Sequence, residues 1–201
     1  MSAQPIFYLS PEQYLDIENK SDYKSGYYQG VMWPLGGEPF GMPGGRPQHS
    51  LISMNIGSEL RFALKGRCLV FSSDMRIRVQ PGGLYTYADA SVVCGEPELA
   101  GDNMTLLNPL VIVEVLSKTT EASDRGFKFT QYREIPILRE YVLVSQYEPC
   151  VEVFRRLEGQ DWTLRKYTGI DTTVRLESVG CSIALAEIYL GVKFEKRLPQ
   201  E

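Results

Sequence analysis

The segment Asn108–Lys128, NPLVIVEVLSKTTEASDRGFK, is the most informative stretch of this 201-residue chain. The apolar runs Leu110–Val113 and Val115–Leu116 are typical of a strand that is buried on both faces. Glu114 interrupts them with a carboxylate, and an ionised carboxylate is costly to bury unless a cation or hydrogen-bond donors compensate it. The pattern therefore indicates either metal binding or acid–base chemistry at Glu114, or a structural ion pair with an arginine such as Arg125.

A second acid interrupts the upstream segment Leu84–Cys94, LYTYADASVVC. The aromatic and β-branched residues of this segment predict a strand, whereas Asp89 in its middle is a poor strand former. We predict that Leu84–Cys94 and Leu110–Leu116 are neighbouring strands of one sheet. Asp89 and Glu114 can then converge on one point and bind a divalent cation.

A lysine follows these two acids on the predicted helix Ser123–Ile135. Lys128 lies four residues after Asp124 and four before Tyr132, so the three side chains share one face of the helix. A lysine beside two metal-binding carboxylates can stabilise phosphate charge in a transition state. The alternative is an exposed helix lysine that pairs with Asp124.

Six features occur along the chain in the order found in one known family. They are YYQGVMW (Tyr27–Trp33), the helix-opening His49, SDMRIRV (Ser73–Val79), EVLS (Glu114–Ser117), DRGFKFTQYR (Asp124–Arg133) and EYVLVS (Glu140–Ser145). Together they closely resemble the Uma family of restriction endonucleases, within the PD-(D/E)XK nuclease superfamily, over about residues 9–194. The usual position of the superfamily lysine is occupied here by Leu116, and Lys128 matches variants that carry this lysine on the following helix.

The resemblance implies one restriction endonuclease-like α/β domain over residues 1–201, with a mixed central β-sheet flanked by helices. It implies a DNA endonuclease that uses Mg²⁺ or Mn²⁺, with Asp89, Glu114 and Lys128 as catalytic residues. The metal ligands are expected to be the carboxylates of Asp89 and Glu114 and the main-chain carbonyl of Val115. Family members are often homodimers, and a two-fold homodimer is also the commonest oligomer on general grounds.

Three further residues are accessory positions of this predicted site. His49 either contacts a phosphate or water, or caps and packs its helix. Asp74 is either a turn residue or an acid near the metal. Asp124 shares the helical face of Lys128.

The chain departs from the family pattern at two positions. Members often carry a glutamate in the segment equivalent to Lys24–Gly26 and another after the glycine equivalent to Gly30. Here those positions are Gly26 and Val31. Glu38 in the long loop Pro34–Pro47 can substitute for a missing acid. A second hypothesis follows, in which the nuclease fold is retained as a nucleic-acid-binding or assembly module without catalysis.

Composition sets the remaining expectations. The net charge of −4 does not favour nonspecific nucleic-acid binding, although a local basic face can coexist with it. Five residues are candidates for such a face: Arg61, Lys65, Arg67, Arg76 and Arg78. The alternative is that these side chains are simply solvated positions on a helix and a strand.

The N-terminal sequence does not resemble a signal peptide, and we expect a cytoplasmic protein. In a reducing cytosol Cys68, Cys94, Cys150 and Cys181 are expected to be small apolar core residues.

The remaining elements follow from periodicity and from helix-end and turn signals. Helices are predicted from Ser10 to about Asn19, over Gln48–Leu64 with Gly66 ending it, and within Ile183–Tyr189. The segment Tyr23–Trp33 is predicted to be a turn and a strand, with Gly30 as a bulge. Further strands are predicted over Cys68–Ser72, Met75–Gln80 and Glu140–Ser145, followed by a meander of Cys150–Arg156, Trp162–Thr168 and Thr173–Leu176.

Overall fold

The computed structural model describes residues 8–35, 46–79 and 83–194. Its helices are α1 (Pro11–Glu18), α2 (Pro47–Leu64), α3 (Glu121–Ser123), the π-helical turn π1 (Asp124–Lys128), α4 (Phe129–Tyr132) and α5 (Leu185–Ile188). Its first eight strands are β1 (Ser25–Tyr28), β2 (Val31–Pro34), β3 (Leu69–Ser72), β4 (Arg76–Arg78), β5 (Tyr85–Tyr87), β6 (Ala90–Val93), β7 (Thr105–Leu106) and β8 (Val111–Leu116). The strands that follow are β9 (Glu140–Ser145), β10 (Cys150–Arg156), β11 (Trp162–Thr168), β12 (Thr173–Leu176) and β13 (Cys181–Ala184).

A six-stranded mixed sheet forms the centre of the fold, in the order β11-β10-β9-β8-β6-β3. Only β8 and β9 are parallel within it, because the helical segment from α3 to α4 connects them as a crossover. Every residue of β8 is buried, as the apolar run predicted. Helices α2 and α5 pack on one face, where a large apolar cluster contains Ile52, Val113 and Leu185. The predicted restriction endonuclease-like α/β fold, with helices flanking a mixed central sheet, is confirmed.

The predicted strand Leu84–Cys94 is wrong as a single element. Its first part is β5, which lies in a separate five-stranded sheet of order β2-β1-β5-β4-β7, and its second part is β6 of the central sheet. The chain passes from one sheet to the other at Ala88 and Asp89. Pairing of β6 with β8 ends at Ala90 and Val113. Two residues further along β8, the Val115 amide donates to the Asp89 side chain. The predicted adjacency of the two segments holds for β6 and β8.

The N-terminal elements follow their local signals. Ser10 and Gln13 form the predicted capping box of α1. The segment Tyr23–Trp33, predicted to be a turn and a strand, is instead the hairpin of β1 and β2, with Tyr28 paired to Val31. Gln29 and Gly30 both have positive φ, 47° and 88°, which suits the two-residue hairpin turn that right-handed strand twist favours. Gly30 is therefore a turn residue and not a bulge.

The predicted helix after the central strands begins and ends earlier than expected. It spans α3, π1 and α4, from Glu121 to Tyr132, with the wide π turn in its middle. A short insertion of this kind is common at functional sites. The other predicted elements are present, although Thr173–Leu176 pairs with β13 in a small sheet instead of extending the meander.

Two of the four cysteines form a disulfide, which corrects the expectation that all four are apolar core residues. The register of β3 and β6 pairs Leu69 with Val93, so the next pair outward brings Cys68 and Cys94 together. Their Cα atoms are 4.2 Å apart. Cys150 and Cys181 are free and buried, as expected.

The predicted basic face loses one member. Arg76 is buried and pairs with Asp102, while its guanidinium also donates to Asn19 and Thr105. Arg61, Lys65 and Arg67 remain exposed. Within the described ranges, no helix has both the length and the apolar character needed to cross a bilayer.

Candidate active site

A cavity of about 620 Å³ opens beside the ends of β8 and β9. Asp89, which immediately precedes β6, lines it together with Glu114 of β8 and Lys128 of π1. His49, in the first turn of α2, closes one side. The fold thus brings the three predicted catalytic residues to one cavity, although they come from three separate segments of the chain.

Glu114 is held by two donors inside the core. Its Oε1 accepts from Lys128 Nζ at 2.9 Å and from the Tyr132 hydroxyl at 3.0 Å. No residue in the described part of the chain donates a hydrogen bond to its Oε2. The carboxylate therefore has one fixed oxygen and one that can accept a further ligand.

Lys128 is buried between two acids. Besides its bond to Glu114, its Nζ lies 3.0 Å from Oδ1 of Asp124, although the angle at that contact is too poor for a hydrogen bond. The π turn orients Asp124, Lys128 and the following Tyr132 toward β8. Lys128 thus has the predicted position beside Glu114 together with the alternative pairing to Asp124, and it is not the exposed lysine of that alternative.

Arg125 does not compensate Glu114. Its guanidinium donates to Glu121 at 2.8 Å and also pairs with Glu152 on β10. The structural alternative that paired Arg125 with Glu114 is therefore wrong. The residue spacing could not show this, because the π turn changes which side chains point toward β8.

When Glu114 is ionised, the cluster carries excess negative charge. Burial raises the pKa of Glu114 to about 8, and the nearby Asp124 and Asp89 act in the same direction against the opposing effect of Lys128. Burial by itself lowers the pKa of Lys128, but the carboxylates of Glu114 and Asp124 outweigh burial and raise that pKa well above its ordinary value. One ammonium thus cannot fully compensate the surrounding carboxylates, so an added cation would be stabilised here.

Asp89 connects three segments through its two oxygens. Oδ1 lies 3.0 Å from Nε2 of His49 and accepts a longer bond from Ser53, and both of these residues belong to α2. Oδ2 accepts the Val115 amide of β8 at 2.7 Å. The hydrogen bond to Asp89 raises the pKa of His49, although burial opposes that shift. His49 is therefore a partner of the predicted metal ligand Asp89, in addition to its place at the start of α2.

Three basic side chains are among the residues that line the cavity. Lys24, Arg46 and Lys118 all line it. Lys24 bonds to the Ser73 carbonyl at 2.9 Å and to Asp74 at 2.7 Å. Asp74 itself is an exposed residue of the turn after β3, outside the lining of the cavity. The positive charge of Lys24, Arg46 and Lys118 makes the cavity suitable for an anionic substrate.

Sequence reasoning missed Gln146 and Ser53. Gln146 follows β9 and lines the cavity, and its side chain is almost fully buried. Its Nε2 donates to Tyr147, while Oε1 has no hydrogen-bond partner among the described residues. The available signal was positional: β9 runs parallel to β8, so the residue after its end comes close to the end of β8.

The two departures from the family pattern lie away from the cavity lining. Gly26 faces Trp33 across the hairpin, and a Cβ at Gly26 would be 2.5 Å from the indole ring. Val31 is 47 % exposed on β2. Glu38 and most of the loop Pro34–Pro47 lie outside the described residues.

The oxygen donors fit a divalent cation that keeps part of its water shell. No three His, Cys, Asp or Glu side chains are grouped for metal binding within residues 8–35, 46–79 and 83–194. Asp89 and Glu114 supply two carboxylates, however, and Mg²⁺ is usually held by one or two carboxylates plus waters. The free Oε2 of Glu114 and the excess negative charge support this fit. Val115, the third predicted ligand, also lines the cavity.

This fold defines a class of protein, the restriction endonuclease-like α/β proteins. The crystal structure of a "putative nuclease belonging to DUF820" from Anabaena variabilis has the same fold, with a TM-score of 0.70 and 18 % identity over 90 % of this chain and 97 % of that one. The chain belongs to the Uma2 family, described as "Putative restriction endonuclease", whose sequence model matches residues 11–186.

Two relatives of the chain are known from Synechocystis sp. (strain ATCC 27184 / PCC 6803 / Kazusa). The uncharacterized protein slr1290 is 34 % identical over 193 residues, which cover 96 % of this chain and 97 % of that protein. The uncharacterized protein sll1609 is 31 % identical over 163 residues, which cover 80 % of this chain and 88 % of that protein. The resemblance to the Uma family is thereby confirmed.

Proposed function

We propose that this protein is a divalent-metal-dependent endonuclease that hydrolyses phosphodiester bonds of DNA. The observation that carries the proposal is the meeting of Asp89, Glu114 and Lys128 in one cavity that basic residues also line. Phosphoryl transfer depends mainly on positioning the reactants and on stabilising negative charge, and two carboxylates and a lysine can serve these purposes.

The metal we propose is Mg²⁺ or Mn²⁺, with the carboxylates of Asp89 and Glu114 and the main-chain carbonyl of Val115 as its ligands. When bound, such an ion polarises the scissile phosphate and lowers the pKa of a bound water. The free Oε2 of Glu114 and the two carboxylates provide the oxygen ligands that this ion prefers.

The protein side chains perform the remaining steps in this proposal. Lys128 stabilises the negative charge that develops on the phosphate oxygens. Tyr132 fixes the rotamer of Glu114 through its hydrogen bond to Oε1. His49 and Ser53 orient Asp89 through Oδ1, so that the two carboxylates keep a fixed relative position. Asp124 also contacts the Lys128 ammonium and helps to hold it in place.

A catalytically inactive binding or assembly module is the second candidate. The observation that favours it is the raised pKa of Glu114, because a protonated carboxyl paired with Lys128 is a stable arrangement without any metal. In this case the cluster is part of the core and the cavity binds nucleic acid without cleaving it.

Nicking of supercoiled plasmid DNA in Mg²⁺ or Mn²⁺ distinguishes the two candidates. We expect the wild-type protein to nick the plasmid and EDTA to prevent it. Glu114→Gln keeps the shape of the side chain and should abolish nicking. Glu152→Gln is the matched control, since it changes another buried acid that lies outside the cavity. Absence of metal-dependent nicking by the wild-type protein supports the binding module.

Metal binding has its own readout. Because an ion that binds only the folded state stabilises it, Mg²⁺ should raise the melting temperature of the wild-type protein. That increase in melting temperature should shrink in Glu114→Gln and persist in Glu152→Gln.

We also propose that the protein is a homodimer, since cleavage of both DNA strands suits paired sites. Light scattering that gives only a monomer over a wide concentration range argues against this proposal.

A further inference from the structure

A second cavity, of about 580 Å³, adjoins the first. Its walls are α2 on one side and β3 with the start of β6 on the other. It shares His49, Ser73 and Asp89 with the candidate active site. We call this second cavity the α2 groove.

The α2 groove follows one face of its helix. The helix residues that line it are His49, Ser50, Ser53, Met54, Gly57, Ser58 and Arg61. Their spacing of three and four residues places them in a row, and the distance from His49 to Arg61 is about 18 Å at 1.5 Å per residue. The groove therefore leads from Asp89 of the candidate active site toward the C-terminal end of α2.

The lining of the groove is chemically suited to a phosphate-bearing chain. Five serines line it: Ser50, Ser53, Ser58, Ser72 and Ser73. Arg61 is exposed, and its guanidinium makes no ion pair or hydrogen bond with another described residue. Hydroxyl and guanidinium groups are common ligands of phosphate oxygens. Phe71 and the exposed Met54 add apolar surface against which a base or sugar can pack.

Gly57 leaves the middle of the groove open. A Cβ added there meets no atom of the described residues within 4 Å, so a side chain at this point would project into the groove. A cavity of this volume is in the range that holds small molecules. It therefore has room for a segment of one nucleic-acid strand.

We propose that the α2 groove binds a segment of single-stranded DNA that continues from the phosphate in the candidate active site. This inference rests on the proposed function. The alternative ligand is an extended peptide that pairs with β3, the outermost strand of the central sheet. We favour nucleic acid because the groove is continuous with the candidate active site. The strand that enters the groove is accordingly unpaired next to the scissile bond, which in plasmid DNA requires local unwinding of the duplex.

The test is a charge series at Gly57, with binding measured by fluorescence anisotropy in EDTA. The probe is a labelled single-stranded oligonucleotide of about 12 nucleotides, a length within the range known for single-strand sites. Gly57→Ala is the control, since it adds only a methyl group. Gly57→Glu should weaken binding at least about fivefold, because it places a negative charge beside the phosphates. Gly57→Lys should tighten binding and make its salt dependence steeper by about one phosphate contact.

Folding does not limit this series, since every replacement removes a glycine from a helix interior and improves helix propensity. Equal affinity of the Glu and Lys variants overturns the inference, and so does wild-type protein that fails to bind the oligonucleotide. Binding of a duplex of the same length with equal affinity and an equal response to the series also overturns it. These measurements need no metal, so they are independent of whether the protein nicks plasmid DNA.

Discussion

The ammonium of Lys128 lies 2.9 Å from Oε1 of Glu114, and both side chains are buried. Asp124, which belongs to the same π turn as Lys128, contacts the same ammonium. One positive charge is therefore shared by two acids, and this imbalance of charge determines how the stability of the protein should respond to mutation and to pH.

Replacing Lys128 with Met should destabilise the protein by about 3–5 kcal/mol, because loss of one partner leaves a buried charge uncompensated. Metal-dependent nicking should be lost as well. Urea unfolding measures the stability change. Lys118→Met is the control, since Lys118 is an exposed lysine of the same cavity and its loss should cost less than about 0.5 kcal/mol. Equal effects of the two substitutions contradict the central role of Lys128 in the cluster.

The stability of the metal-free protein should fall as pH rises between the two pKa values of Glu114. That pKa is 4.5 as an ordinary glutamate and about 8 in the fold, where burial raises it. Between these values the folded state keeps a proton that the unfolded state has lost, so the free energy of unfolding decreases with pH. Below this range both states are protonated at Glu114, and above it both are ionised, so this contribution is then constant.

Urea unfolding at a series of pH values checks this dependence. Glu114→Gln should reduce the slope by as much as about 1.4 kcal/mol per pH unit within the same range. Glu152→Gln is the matched control, since Glu152 is a buried acid that lies outside this cluster. Identical slopes for wild type and Glu114→Gln show that Glu114 titrates normally in the fold.

Loss of the Cys68–Cys94 disulfide should lower the stability by about 3–4 kcal/mol. The bond closes a segment of 26 residues, and opening it increases the freedom of the unfolded chain. The double variant Cys68→Ser/Cys94→Ser should unfold at lower urea than the oxidised wild type. A reductant should bring the wild type to the level of the variant and leave the variant unchanged. A wild type that does not respond to reductant would mean that the disulfide does not form in solution.

Gly26→Ala should destabilise the β1–β2 hairpin by about 1–3 kcal/mol, because the new methyl group and the Trp33 ring cannot occupy the same space. In a Trp33→Ala background the same substitution should cost little. Thermal unfolding of the four proteins in this double-mutant cycle gives the coupling between the two positions. A cost of Gly26→Ala that is the same with and without the Trp33 ring would show that the ring is not its cause.

Much of the fold was predictable from local signals. The apolar run around Glu114 gave a central buried strand, and the capping residues of Ser10–Gln13 gave the first helix. The division of Leu84–Cys94 into two strands was not predictable, because it depends on Asp89 accepting an amide from a strand about 26 residues further along the chain. Periodicity carries no information about such a long-range bond.

The candidate site, like the fold, was only partly predictable from the sequence. Asp89, Glu114 and Lys128 stood out because charged residues interrupt apolar or patterned segments. Gln146 and Ser53 did not, since an uncharged polar residue after a strand or within a helix is ordinary. The disulfide was missed because it depends on which strands pair, and the register of β3 with β6 is a property of the folded sheet.

The bond from the Val115 amide to Asp89 makes one backbone proton a direct reporter of the candidate site. In the rest of β8 the ladders to β6 and β9 protect the backbone amides, whereas here protection depends on the rotamer of a single carboxylate. A ligand that draws Asp89 Oδ2 away frees this amide, and deuterium from the solvent can then replace its proton. The hydrogen-exchange rate of the Val115 amide therefore reports whether a ligand occupies the candidate active site, without any cleavage assay.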